Sequence, residues 1–192
     1  MAYILLSGYP GAGKCKILKE IAADFENVVW ITTTYSIENV RNGLKRDAWV
    51  IDAFSWGMKG LKAGERDVVV SNPTNLNEVS LSFSKVPEKI KGDYLLILNS
   101  ISGLAVYQPL PKILNLLRSL IVKVEKDGAK AIFTIVKGAQ ERGFEISLMM
   151  FFPNIAEIEE GKLKVLKTSY SEFEKRVYGL SEAKQILTKM LF

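Results

Sequence analysis

Seven residues near the amino end, Gly8-Tyr9-Pro10-Gly11-Ala12-Gly13-Lys14, constrain this chain more than any others. They fit the spacing G-x-x-x-x-G-K and run on into Cys15 and Lys16. An apolar stretch over residues 2–6 precedes them. Behind them, residues 14–25 set Ile17, Leu18, Ile21 and Ala22 on one helical face. A strand, a glycine-rich turn and a helix, in that order, is the context in which this pattern holds phosphate. Glycines let successive backbone N–H groups wrap an anion without interference from Cβ atoms. The helix that follows aims its positive end at the same anion, and Lys14 adds a full charge. The expected phosphate-contacting residues are therefore Gly8, Tyr9, Pro10, Gly11, Ala12, Gly13, Lys14, Cys15 and Lys16.

The remaining sequence keeps alternating strand-length apolar runs with helical patterns. Strands are expected at residues 28–33, 49–52, 68–71, 94–98 and 130–136, the fourth so continuously apolar that it belongs in the centre of a parallel sheet. Ser36 is a natural N-cap for a helix reaching Arg46. Asn72-Pro73 and Asn75 mark a turn before a helix starting near Leu76. Pro109 and Pro111 open a long helix over residues 112–126, with Gly128 just beyond it. Residues 155–159 and 163–166, joined by Glu160-Gly161, read as an antiparallel hairpin. Ser181 caps a last helix whose stripe is Ala183, Ile186, Leu187, Met190 and Leu191. The pattern predicts one α/β domain over residues 1–192, with a largely parallel sheet flanked by helices. Trp30, Trp49 and Trp56 are expected in or beside the core.

Composition narrows the chemistry. The chain has no histidine and a single cysteine among 192 residues, which excludes Ser/His and Cys/His catalysis, internal disulfides and a cysteine zinc cluster. The net charge of +5 comes from scattered lysines, so nucleic-acid binding has only weak support. No leader peptide and no apolar run of about 18 residues is visible, so a cytoplasmic protein without membrane contact is expected. Plentiful Lys and Glu beside only Gln108, Gln140 and Gln185 point to a thermophilic source.

Ser7 to Lys14 resembles the P-loop of RecA/KaiC-type ATPases, where Pro-Gly-x-Gly-Lys is typical. The resemblance continues to about residue 168. Val28 to Thr32 is similar to the second core strand of that family, Ser36 to Val40 to the helix start after it, and Trp49 to Trp56 to a strand-and-loop segment of KaiC-like domains. Tyr94 to Ser100 stands where the family has an apolar strand ending in Asp-Ser, and residues 129–136 resemble the strand after it. The resemblance implies a RecA-like fold, ATP or ADP as ligand, and self-association or assembly with a related ATPase subunit.

Three departures accompany it. The Ser or Thr whose hydroxyl binds Mg²⁺ is replaced by Cys15, and the Asp of the magnesium shell by Asn99, which retains a carbonyl oxygen near the ligand. The paired glutamates that polarise water align with Thr34-Tyr35. Magnesium prefers hard oxygen ligands, so its binding is doubtful here. An intact phosphate cradle beside degraded hydrolytic groups suggests a pseudo-ATPase that serves as a regulatory or assembly module. Three alternatives remain: an active ATPase with a displaced carboxylate from Glu38 or Asp52, a recombinase-like binder of single-stranded nucleic acid, and a structural partner that has lost nucleotide. Residues 137–143, with Arg142, lie where recombinases place a DNA-contacting loop, or form an ordinary solvated loop. Helix 181–192 packs on the domain or docks another subunit. Cys15, beside Lys14 at a helix amino end, is either a neutral thiol or a redox-sensitive thiolate.

Overall fold

The computed structural model describes residues 2–58, 63–72, 74–171, 173 and 176–192. Among them the strands are β1 (Tyr3–Gly8), β2 (Asn27–Thr32), β3 (Trp49–Asp52), β4 (Asp67–Val69), β5 (Tyr94–Asn99), β6 (Lys130–Val136), β7 (Asn154–Glu159), β8 (Lys162–Lys167) and β9 (Val177–Gly179). The helices are α1 (Lys14–Ala22), α2 (Ile37–Arg41), α3 (Leu76–Lys85), α4 (Ile101–Ala105), α5 (Leu110–Lys126), α6 (Arg142–Met149) and α7 (Ala183–Leu191). The strands form one sheet in the order β4-β3-β2-β5-β6-β1-β7-β8-β9. Pairings from β4 to β7 are parallel, and β8 and β9 add antiparallel. The expected α/β architecture, with its hairpin near the carboxyl end, is what the chain adopts.

Side-chain alternation along the strands makes two cores. Tyr3 and Leu5 of β1, Leu96 and Leu98 of β5, and Phe133 of β6 face α3, α4, α5 and α6. Ile4 and Leu6, Leu95 and Ile97, and Ile132 face the other way, towards α1, α2 and α7. The division follows from connection handedness. The chain steps one way across the sheet from β1 to β4 and back the other way from β5 to β7. Right-handed crossovers put the helices of the two passes on opposite faces.

One consequence positions the site. β1 sends the chain into α1 on one face, while its neighbour β6 sends it into α6 on the other. A crevice opens between them at the carboxyl ends of the strands, the place where open α/β sheets bind ligands.

Some boundaries differ from those the sequence predicts. The helix after Ser36 stops at Arg41 rather than Arg46: Asn42 is already extended and Gly43 has φ 81°. Two short helices, α4 and α6, and the three-residue strand β9 were not expected. Asn75 does precede α3, but Pro73 of the predicted turn lies outside the described residues. Trp30 is fully buried and Trp49 packs on the core edge, whereas Trp56 is largely exposed. The stripe of α7 is buried against α1 and β1 in this same chain, with Phe192 stacked on Phe25 and Lys184 paired to Asp24. No helix among the described residues is long and apolar enough to cross a membrane.

Candidate phosphate-binding site

The glycine-rich loop leaves β1 at Gly8 and enters α1 at Lys14. Gly8 lies hard against β7: a Cβ there would sit 2.8 Å from the Ile158 carbonyl oxygen, a backbone atom held in the sheet. Gly13 precedes α1 at φ 94°, in the left-handed region that costs other residues about 1–2 kcal/mol. Gly13, the N-cap of α1, has no side chain to cap it, which leaves the first N–H groups of the helix facing outward for an anion. The Lys14 ammonium folds over the loop and donates to the carbonyl oxygens of Gly8 and Tyr9, the latter at 2.9 Å. Burial lowers its pKa from the ordinary lysine value.

The opposite wall comes from three other strands. Thr34 and Tyr35 follow β2, Asn99 and Ser100 end β5, and Val136 ends β6. With residues 10–16 they enclose a cleft of about 300 Å³. Hydrogen bonds fix this wall. The Thr33 hydroxyl donates to the Ser100 carbonyl oxygen (2.6 Å) and accepts from the Ser100 N–H (2.9 Å), while the Thr33 N–H donates to the Asn99 carbonyl oxygen (3.0 Å). Thr32 Oγ1 donates to the Tyr35 carbonyl oxygen at 2.7 Å. Asn99 Oδ1 accepts from the Thr134 hydroxyl at 2.9 Å. The Ser100 hydroxyl is buried with no hydrogen-bond partner among the described residues, although Ser100 lines the cleft.

The structure therefore brings Pro10, Gly11, Ala12, Gly13, Lys14, Cys15, Lys16 and Asn99 together, with Gly8 and Tyr9 supporting them from below. It does not bring Glu38 or Asp52 to the cleft. Glu38 is exposed on α2. Asp52 is fully buried, and its Oδ1 accepts from the N–H groups of Phe54 (2.7 Å) and Ser55 (2.8 Å). Sequence reasoning missed Ser100 and Val136 as wall residues. The Asn-Ser pair at the end of an apolar strand was the available signal for Ser100.

Cys15 is half-buried, and burial pushes its thiol pKa up while Lys19 opposes more weakly. The neutral thiol is the state this position favours, not the activated thiolate. Magnesium fits these residues poorly. The two positions expected to hold it carry a protonated sulfur and an amide whose oxygen already accepts a hydroxyl proton. Among the described residues no cluster of three or more Asp, Glu, His or Cys could hold a metal.

Beside the loop, the Lys137 N–H donates to the Gly8 carbonyl oxygen (3.1 Å), and its ammonium stands 5.2 Å from the centre of the Tyr9 ring. That ammonium also bridges Glu157 (3.0 Å) and Glu159 (2.8 Å), which hold its pKa well above the lysine range. Hydrogen bonds from Lys137 and Lys164 hold Glu159 down to about 2. The segment read as a DNA-contacting loop is thus a short turn followed by α6, with its lysine paired and the Gly138 N–H held by Glu145 at 2.8 Å. Arg142 begins α6 and is exposed. A separate cavity of about 340 Å³ between α3 and α5, lined by Asn75, Ser80, Lys112 and Asn115 among others, has no glycine loop.

No protein-family profile and no curated protein sequence matches the chain significantly. Solved structures do. A protein designated PH0250 from Pyrococcus horikoshii OT3 superimposes with a TM-score of 0.65 at 14% identity, over 93% of this chain and 92% of that one. The KaiC-like protein PH0186 from the same hyperthermophilic archaeon gives 0.63 at 17% identity, over 93% and 84%. An uncharacterized protein of that organism, PH0321, solved in complex with an unknown peptide, gives 0.61 at 15% identity, over 87% and 84%. At such identities the likeness is one of fold: this chain shares the α/β fold of a KaiC-like protein.

Proposed function

We propose that this chain binds ATP or ADP in the glycine-loop cleft, hydrolyses it slowly or not at all, and works as a KaiC-like regulatory or assembly module. The observation that carries the reading is the makeup of the cleft wall. A phosphate cradle of glycines, Lys14 and the start of α1 faces Thr34, Tyr35, Asn99 and Ser100, and no described wall residue is Asp or Glu. Phosphoryl transfer draws on metal charge and an oriented water, and the wall offers no carboxylate to position either one. Binding without turnover still does work when the nucleotide prefers one of two conformations or assembly states. The fold shared with a KaiC-like protein supports the reading.

Calorimetric titration of ATP and ADP in EDTA, with a phosphate-release assay on the same sample, tests the proposal. Both nucleotides should bind and release should stay at the buffer rate. Lys14→Ala should weaken binding about 100-fold, the loss of roughly 3 kcal/mol of charge-assisted hydrogen bonds. Steady, magnesium-dependent release that Lys14→Ala abolishes would overturn it.

A further inference from the structure

The charge inventory of the cleft is one-sided. Lys14 and Lys16 both line it, and no described lining residue is acidic. Lys16 sits in the first turn of α1, exposed, and makes no ion pair among the described residues. Its neighbour Cys15 offers a sulfur where a metal would need a hard oxygen, and Asn99 Oδ1 is engaged by Thr134. The Ser100 hydroxyl, buried without a partner in the same wall, is a donor ready for an anionic oxygen. Lys137, the other nearby cation, is neutralised by Glu157 and Glu159 and adds little to this balance. The cleft is thus arranged for a bare polyanion, not for one already neutralised by a divalent ion.

We propose that Lys16 supplies the positive charge a metal brings elsewhere, so that the site takes the metal-free nucleotide and magnesium competes with the protein for it. This rests on the nucleotide reading above and specifies the form of the ligand. A divalent ion on the polyphosphate cancels two of the charges that Lys14 and Lys16 attract. It also brings an inner shell of water that Cys15 and Asn99 cannot replace. The magnesium sensitivity is then opposite in sign to that of a magnesium-dependent nucleotide site. Free nucleotide concentration, and hence the magnesium level, becomes the variable the protein reads.

Titration of ADP into the full chain in EDTA, and again with excess MgCl₂ at matched ionic strength, is the direct test. Inorganic pyrophosphate serves as a competitor that isolates the phosphate contacts. Affinity should fall about tenfold when magnesium is added, and pyrophosphate should displace ADP more weakly in magnesium than in EDTA. Lys16→Ala, at an exposed position where folding is checked by its thermal midpoint, should weaken metal-free binding about tenfold and remove most of the magnesium penalty. Tighter or unchanged ADP binding in magnesium, or a Lys16→Ala variant indistinguishable from the parent, would overturn this inference while leaving nucleotide binding intact. Absence of ADP binding under both conditions would overturn the nucleotide reading and this inference with it.

Discussion

The two ends of the parallel strands are built on opposite terms. At the amino ends polar side chains find partners within the fold. Asn27 donates to the carbonyl oxygens of Lys91 and Asp93, and Tyr94 donates to Asp127, which Lys123 approaches to 2.6 Å. Arg41 bridges Asp47 and Asp67 and donates to the Ala48 carbonyl oxygen. Burial and the Asp127 carboxylate push the Tyr94 phenol pKa up, so that proton stays where the hydrogen bond needs it. At the carboxyl ends the pattern breaks. Asp52 Oδ2, Ser55 Oγ and Ser100 Oγ are buried without partners among the described residues, and Lys14 turns back onto carbonyl oxygens of its own loop. A buried polar atom without a partner costs about 1–3 kcal/mol, and three of the five such atoms among the described residues lie at this end, the other two being Trp30 Nε1 and Thr188 Oγ1. One end closes the fold; the other, in the function proposed above, receives a ligand.

Mutations can break this contrast. Asp67→Ala should have the largest effect on stability. The Asp67 side chain is only 4% exposed, and removing it takes the buried partner from Arg41, which keeps Asp47, and the acceptor from the Gly64 N–H. The loss should be about 2–3 kcal/mol, between the limits for exposed and fully buried pairs. In a chain of this size that lowers the unfolding midpoint by roughly 5–10 °C, read by calorimetry. Nucleotide affinity should not move, and a parallel drop in affinity would show that the two ends are coupled. Ser100→Ala should do the reverse. Deleting an unpartnered buried hydroxyl is neutral or stabilising by up to about 1 kcal/mol, while ADP affinity in EDTA should fall about fivefold. A destabilised Ser100→Ala protein with full affinity would place that hydroxyl in the scaffold.

The smallest effect sharpens the comparison at the carboxyl end itself, where Glu159 is paired. Its folded-state pKa is depressed to about 2, so the pairing stabilises the fold above the unfolded value of 4.5 and is lost as pH falls towards 2. Unfolding midpoints of the parent and Glu159→Gln, followed from neutral pH downward, should differ slightly at first. They should converge between pH 4.5 and 2. A difference that persists unchanged at pH 2 would mean that charge pairing is not its source.

Legibility in the sequence tracked how local the determining forces were. The loop and α1 could be read because Gly8, Gly13 and Lys14 carry their chemistry within seven residues. β5 could be read because Tyr94 to Leu98 is apolar without interruption. The position of β1 between β6 and β7 could not, since alternation sets a strand's faces and says nothing of its neighbours. α2 ends sooner than the capping signal at Ser36 suggests, because Gly43 at φ 81° turns the chain away. α6 carries little sequence signal, since Arg142 and Gly143 read as a loop and Leu148 is its only fully buried residue. At the site, sequence identifies Asp52 as an acid at a strand end. It does not reveal that the N–H groups of Phe54 and Ser55 engage that carboxylate, away from the cleft.

The place of β1 also sets the order of events during synthesis. Residues 3–8 find their strand partners in residues 131–136 and 154–158. On a ribosome adding 5–20 residues per second, the first strand therefore emerges roughly 6–30 s before it can be paired. For that interval Tyr3, Ile4, Leu5 and Leu6 are a sticky, unmatched ribbon, and the glycine loop has no strand beneath it to hold its shape. A protein built this way completes its glycine-loop cleft late. Its yield in cells should respond more to translation speed through the middle of the message than to mutations that alter only the finished molecule.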